Sequence, residues 1–205
     1  TIGTVVGPVE FIAGQGVKLL THDSYITYTL PETIQEGEFS IMVTGIDEGN
    51  PGDKTKVMCM QEDGGDITVN DYRFTVEKRG REYPIPGAVT FRIITGDAAE
   101  EDQIHDAARI GISLSDENWY FWKAVWTFTN ASVEVREGGL TGPVLYSRGV
   151  GYSHPYRPTP HVVHLGAPAG RAGSVPATVP GMIIKNVWVA RTPRPAWVDQ
   201  TPSAQ

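Results

Sequence analysis

Short runs of β-branched and aromatic residues alternate along this chain with clusters of glycine, proline, asparagine and aspartate. No long stretch carries apolar residues three and four apart, the spacing of an amphipathic helix. Period-two alternation recurs instead. Tyr72, Phe74 and Val76 share one side of a run whose other side is Asp71, Arg73, Thr75 and Glu77. Val89, Phe91 and Ile93 oppose Thr90, Arg92 and Ile94 in the same way, and Phe39 to Gly45 alternates as cleanly. Successive side chains of a strand point to opposite faces, so each run predicts a strand. The strongest run is Trp119 to Phe128, with three of the five tryptophans. Tyr120, Trp122, Ala124, Trp126 and Phe128 fall on one face; Trp119, Phe121, Lys123, Val125 and Thr127 fall on the other. Both faces are mostly apolar, which predicts a strand within two packed layers, one face on the core and one lining something else.

Further strands are predicted at Thr4 to Ile12, Val17 to Leu20, Tyr25 to Leu30, Val57 to Gln61, Arg109 to Leu114, His161 to Leu165 and Met182 to Ala190. Pro31 stops the third of these, because proline has no N–H for a ladder. A run anchored by Val133 and Val135 turns at Glu137-Gly138-Gly139 and pairs with Val144 to Ser147 as a hairpin. The acidic stretch Asp97 to Asp106 reads as a short helix or a long loop, and Gly166 to Pro180 reads as a loop. Many short strands separated by turns predict an all-β, two-sheet antiparallel sandwich. One domain spans residues 1–191, and residues 192–205 form a proline-rich tail or linker.

Charge and cysteine content narrow the partners. The net charge is −7 and the basic residues are scattered, so nucleic acid is a poor partner. No apolar stretch approaches the roughly 20 residues of a membrane span. The single cysteine, Cys59, lies in the apolar run Val57-Met58-Cys59-Met60, which predicts a core thiol and no internal disulfide.

Tyr25 to Pro31, an arginine-bearing middle strand, the tryptophan strand, Val133-Glu134-Val135 followed by Gly138-Gly139, the step Leu165-Gly166, and the closing Gly181-Met182-Ile183-Ile184-Lys185-Asn186-Val187-Trp188-Val189 come in that order. In this order the chain resembles the concanavalin A-like lectin and glucanase jelly rolls, and among them the laminin-G-like group. The resemblance implies an extracellular or cell-surface domain engaging a polysaccharide or oligosaccharide, with other domains of a longer chain as candidate partners. Its superfamily holds lectins, binding modules, hydrolases and lyases, so the fold does not choose among them.

The candidate chemistry divides accordingly. The Glu-x-Asp-x-x-Glu strand of the retaining glucanases is absent. Sugar binding needs flat aromatic faces and a few polar groups. Trp119, Trp122 and Trp126 are expected to form the platform, with Arg92 and His161 beside them, while Trp188 is expected in the core. The alternative is a lyase acting by β-elimination on a uronate polymer. There Arg73 would neutralise the carboxylate, and Tyr120, His154 and Tyr156 would supply base and acid. A structural or protein-binding laminin-G-like domain is the third reading. No cofactor is required, but Asp47, Asn50 and Asp53 would suit a structural calcium. His161-x-x-His164 is no zinc pair, since residues three apart on a strand face opposite ways.

Overall fold

The computed structural model describes residues 2–46, 54–61, 73–79, 89–94, 103–108, 117–127, 129–151, 161–166 and 178–191. Among them there is no helix, and no element long and apolar enough to cross a membrane as one. The strands are β1 (Thr4–Val6), β2 (Val9–Ile12), β3 (Gly16–Leu19), β4 (Tyr25–Thr29), β5 (Gly37–Thr44), β6 (Lys54–Gln61) and β7 (Arg73–Arg79). They continue as β8 (Val89–Ile94), β9 (Gln103–Ala108), β10 (Tyr120–Trp126), β11 (Asn130–Glu137), β12 (Val144–Gly151), β13 (Val162–Leu165) and β14 (Ile183–Ala190).

Two seven-stranded antiparallel sheets result. The first has the order β1-β4-β13-β6-β7-β8-β9 and the second β12-β11-β10-β5-β14-β3-β2. The expected two-sheet sandwich is therefore observed. Its interior follows from strand parity. In the second sheet Phe39, Ile41 and Val43 of β5 stand opposite Ala124, Trp122 and Tyr120 of β10, and all six are buried. Val133 and Val135 of β11 extend this layer on one side and Ile184 of β14 on the other. From the first sheet Ile26, Met58, Met60, Val163 and Leu165 pack into the same core.

Three local features depart from the sequence expectation. The run Thr4 to Ile12 is two strands in different sheets, split at Gly7, whose φ of 73° is one a side chain resists. Gln103–Ala108, which begins inside the stretch expected as helix or loop and runs two residues past it, is β9, the edge strand of the first sheet. An edge tolerates Asp and His because only one side of it must pair. Finally, β14 contains a bulge: Lys185 is level with Met42 and Trp188 with Ser40, so three steps on β14 match two on β5. Asn186, at φ 51°, takes the left-handed turn that the extra residue needs.

Candidate functional site

Strand parity sorts the expected aromatic platform. Tyr120, Trp122 and Trp126 all point inward; Trp126 is 0% exposed and Trp122 3%. The Trp126 indole N–H donates to the Ile34 carbonyl at 3.2 Å. Rings closed off between two sheets cannot stack on a sugar, and a buried Tyr120 cannot reach a substrate proton, so these roles move elsewhere. Trp119 lies on the outward parity of the same strand and is half-buried. It is joined there by Trp188, which is 46% exposed and not in the core as its apolar strand suggested. The bulge explains the difference. Unbroken alternation along the sequence would give Trp188 the parity of Ile184 and face it inward; the bulge sets two residues, Asn186 and Val187, against Ile41, so Lys185 and Trp188 both face outward.

The outer face of the second sheet therefore carries a diagonal that crosses β10, β5 and β14. Trp119 precedes Tyr120, which pairs with Val43, and Trp188 pairs with Ser40. The backbone positions of the two tryptophans are set about 13 Å apart along the strands and about 10 Å across them. Between them lie Met42 and Lys185, and the Lys185 ammonium sits 3.8 Å from the Trp119 ring centroid. Trp119 is held by its surroundings. Its carbonyl accepts the Gly138 N–H at 2.7 Å, and the carbonyl of the preceding Asn118 accepts the Thr44 hydroxyl at 2.6 Å. The Asn118 side chain donates to Glu137 at 2.6 Å. Alongside runs a charged strip. Lys123 pairs with the fully buried Glu38 at 3.5 Å and stands across from Glu134, which accepts the Arg136 Nε–H at 2.5 Å.

The outer face of the first sheet has different chemistry. Successive register pairs place Thr27, His164, Cys59, Thr75, Arg92 and His105 in one row across six strands. Arg73 stands two residues before Thr75 on β7, level with Ile94 of β8. The Tyr25 ring meets His164 edge-on, with centroids 6.1 Å apart and planes at 80°. His164 and Cys59 are buried, as expected for the thiol. His161, directly before β13, belongs to this layer and is not brought to Trp119. His105 was missed in the sequence because its stretch did not read as a strand. His154, Tyr156, Asp47, Asn50 and Asp53 lie outside the described residues. Among the described residues no three His, Cys, Asp or Glu side chains converge on a metal position.

No protein-family model and no curated protein sequence matches the chain. Solved structures do. The binding domain of botulinum neurotoxin DC, in complex with SialylT, aligns over 96% of this chain and 44% of its own, with TM-score 0.61 and 8% identity. The enzymatically active domain of bacteriophage CBA120 tailspike protein 2 aligns over 91% of this chain and 27% of its own, with TM-score 0.59 and 13% identity. This chain thus spans less than half the length of either. The VIP36 exoplasmic/lumenal domain, bound to Ca2+ and Man3GlcNAc, aligns over 92% of this chain and 83% of its own, with TM-score 0.58 and 9% identity. Likeness at such low identity speaks for architecture, and the architecture is the concanavalin A-like jelly-roll sandwich.

Proposed function

We propose that the chain is a carbohydrate-binding jelly-roll domain that retains a polysaccharide or oligosaccharide on the outer face of its second sheet. The observation that carries this reading is the diagonal from Trp119 over Lys185 to Trp188. An indole face takes up the apolar side of a pyranose, while neighbouring polar groups satisfy the hydroxyls. Lys185 beside the Trp119 ring favours a sugar that bears a carboxylate, since a charge-assisted contact is stronger than a neutral one. The VIP36 domain, of the same fold, binds Man3GlcNAc and Ca2+. A glycan partner places the domain outside the cell or on its surface, as one module of a longer chain. Calcium is the metal such a domain would hold, but stacking on Trp119 and Trp188 does not require it.

A second reading rests on the other face. Register sets Arg92 of β8 level with His105 of β9 and with Thr75 of β7, two residues from Arg73. A guanidinium beside a uronate carboxylate, with Tyr or His as base and acid, is the equipment of β-elimination. One panel separates the readings. Acidic and neutral polysaccharides are cast into native gels and the same mixtures are followed in the near ultraviolet, where an unsaturated uronyl end absorbs. The binding reading expects retarded migration and a flat trace. Trp119→Ala and Trp188→Ala should each weaken retardation about tenfold, or 1.4 kcal/mol, with unchanged thermal midpoints. Retardation that survives both substitutions overturns it. A rising trace abolished by Arg92→Ala would establish the lyase.

A further inference from the structure

At one rim of the sandwich, where the chain leaves β4 and crosses to β5, a half-open cleft of about 430 Å³ lies between the two sheets. Among the described residues its walls are Tyr28, Leu30 and Val163 from the first layer, Val187 and Val189 from the second, and Ile34 from the crossing. Those walls are fixed by backbone ties. The Leu30 N–H donates to the His161 carbonyl at 2.8 Å, and the Ile34 carbonyl accepts the Trp126 indole N–H. The bulge again matters, because it places Val187 at the cavity while its neighbour Trp188 pairs on the outer face. At the polar edge Arg191 pairs with Glu32, and their side chains are 66% and 48% exposed.

The geometry points to a second ligand site, for a small amphipathic carboxylic acid whose apolar body fills the cavity and whose carboxylate takes the place of Glu32 on Arg191. Its volume lies within the range of small-molecule sites, which are apolar chambers with one or two fixed polar groups. A sugar does not suit it, because a pyranose pushed against valine, leucine and isoleucine leaves its hydroxyls without partners. A guanidinium presents two parallel N–H groups that match a carboxylate. An ion pair as exposed as Arg191–Glu32 is weakly held, so a carboxylate tethered to a buried apolar tail displaces Glu32 readily. This site is independent of the glycan reading and faces the opposite side of β14 from Trp188.

Calorimetric titration of the full chain with decanoate and with 1-decanol, both below their micellar concentrations, tests it. Decanoate should bind one to one and the alcohol about tenfold more weakly. Arg191→Gln should lower decanoate affinity about tenfold and leave the alcohol unchanged, while Glu32→Gln should raise decanoate affinity several-fold by releasing Arg191. Val187→Trp, at a position 37% exposed, should fill the cavity and abolish binding of both. If that variant proves unfolded, the Arg191 and Glu32 pair of surface variants decides the matter alone. No decanoate heat, or equal affinity in wild type and Arg191→Gln, overturns the proposal, as does decanoate binding that Trp188→Ala removes.

Discussion

The two outer faces of this sandwich cover the same core and yet hold different chemistry. That of the second sheet is aromatic and cationic, with Trp119, Lys185 and Trp188 on its diagonal. In the first sheet, register sets histidine, cysteine, threonine and arginine level with one another from β13 to β9. The interior between them absorbed the residues that looked most suited to stacking on a sugar. Aromatic content alone therefore does not identify a platform. Parity decides, because every strand gives half its side chains to the core and half to its own outer face. The largest consequence is a contrast between two tryptophans of the same sheet. Trp126→Ala removes a ring that is 0% exposed and donates to Ile34, and should cost about 3–5 kcal/mol in urea unfolding. Trp188→Ala should leave the unfolding midpoint within about 0.5 kcal/mol of wild type. Equal costs would mean that the inner and outer assignments of these rings are wrong.

The next effect concerns the device that separates the faces. Asn186 holds φ 51° in the middle of β14, a conformation that asparagine and glycine tolerate and a β-branched residue resists. Asn186→Val should destabilise by about 1–2 kcal/mol, whereas Asn186→Gly should stay within a few tenths. Deleting Asn186 restores regular pairing, with Val187 opposite Ile41 and Trp188 still opposite Ser40 on the outer face. Acrylamide quenching of the tryptophan fluorescence should stay at the wild-type level in the deletion variant, and glycan retention should stay with it. Quenching that falls would show that Asn186 is not the additional residue set against Ile41.

Much of this arrangement was written in the sequence. The alternation of Tyr120, Trp122, Ala124 and Trp126 against Phe121, Lys123 and Val125 is the alternation observed, and the hairpin from Val133 through Gly138-Gly139 to Val144 pairs as expected. What could not be read was which face meets which neighbour. A strand with two apolar faces gives parity but not direction, so Trp122 and Trp126 suited a platform as well as a core. The bulge hid Trp188 for a related reason: one added residue inverts every later position. Its only mark was Asn186 amid Ile183–Ala190, a polar residue of left-handed tolerance beside Lys185 in a strand whose other residues are apolar. The row on the first sheet was invisible because it is assembled from six separate strands, and β9 lay disguised in an acidic segment.

The smallest effect probes the chemistry of the aromatic face rather than its existence. Lys185 lies 3.8 Å from the centroid of Trp119, close enough for the ring to hold the ammonium, an attraction of about 0.5–1 kcal/mol at an exposed position. Lys185→Met keeps a long apolar stem against the indole and removes the charge. Retention of a neutral polysaccharide should then be unchanged or slightly stronger, since the ring face no longer has a competitor. Retention of an acidic one should weaken about threefold at low salt, and the difference should vanish near 1 M salt, where the screening length is about 3 Å. If the acidic polysaccharide loses nothing, Lys185 serves only to order Trp119, and the charge preference belongs to the arginines of the opposite sheet.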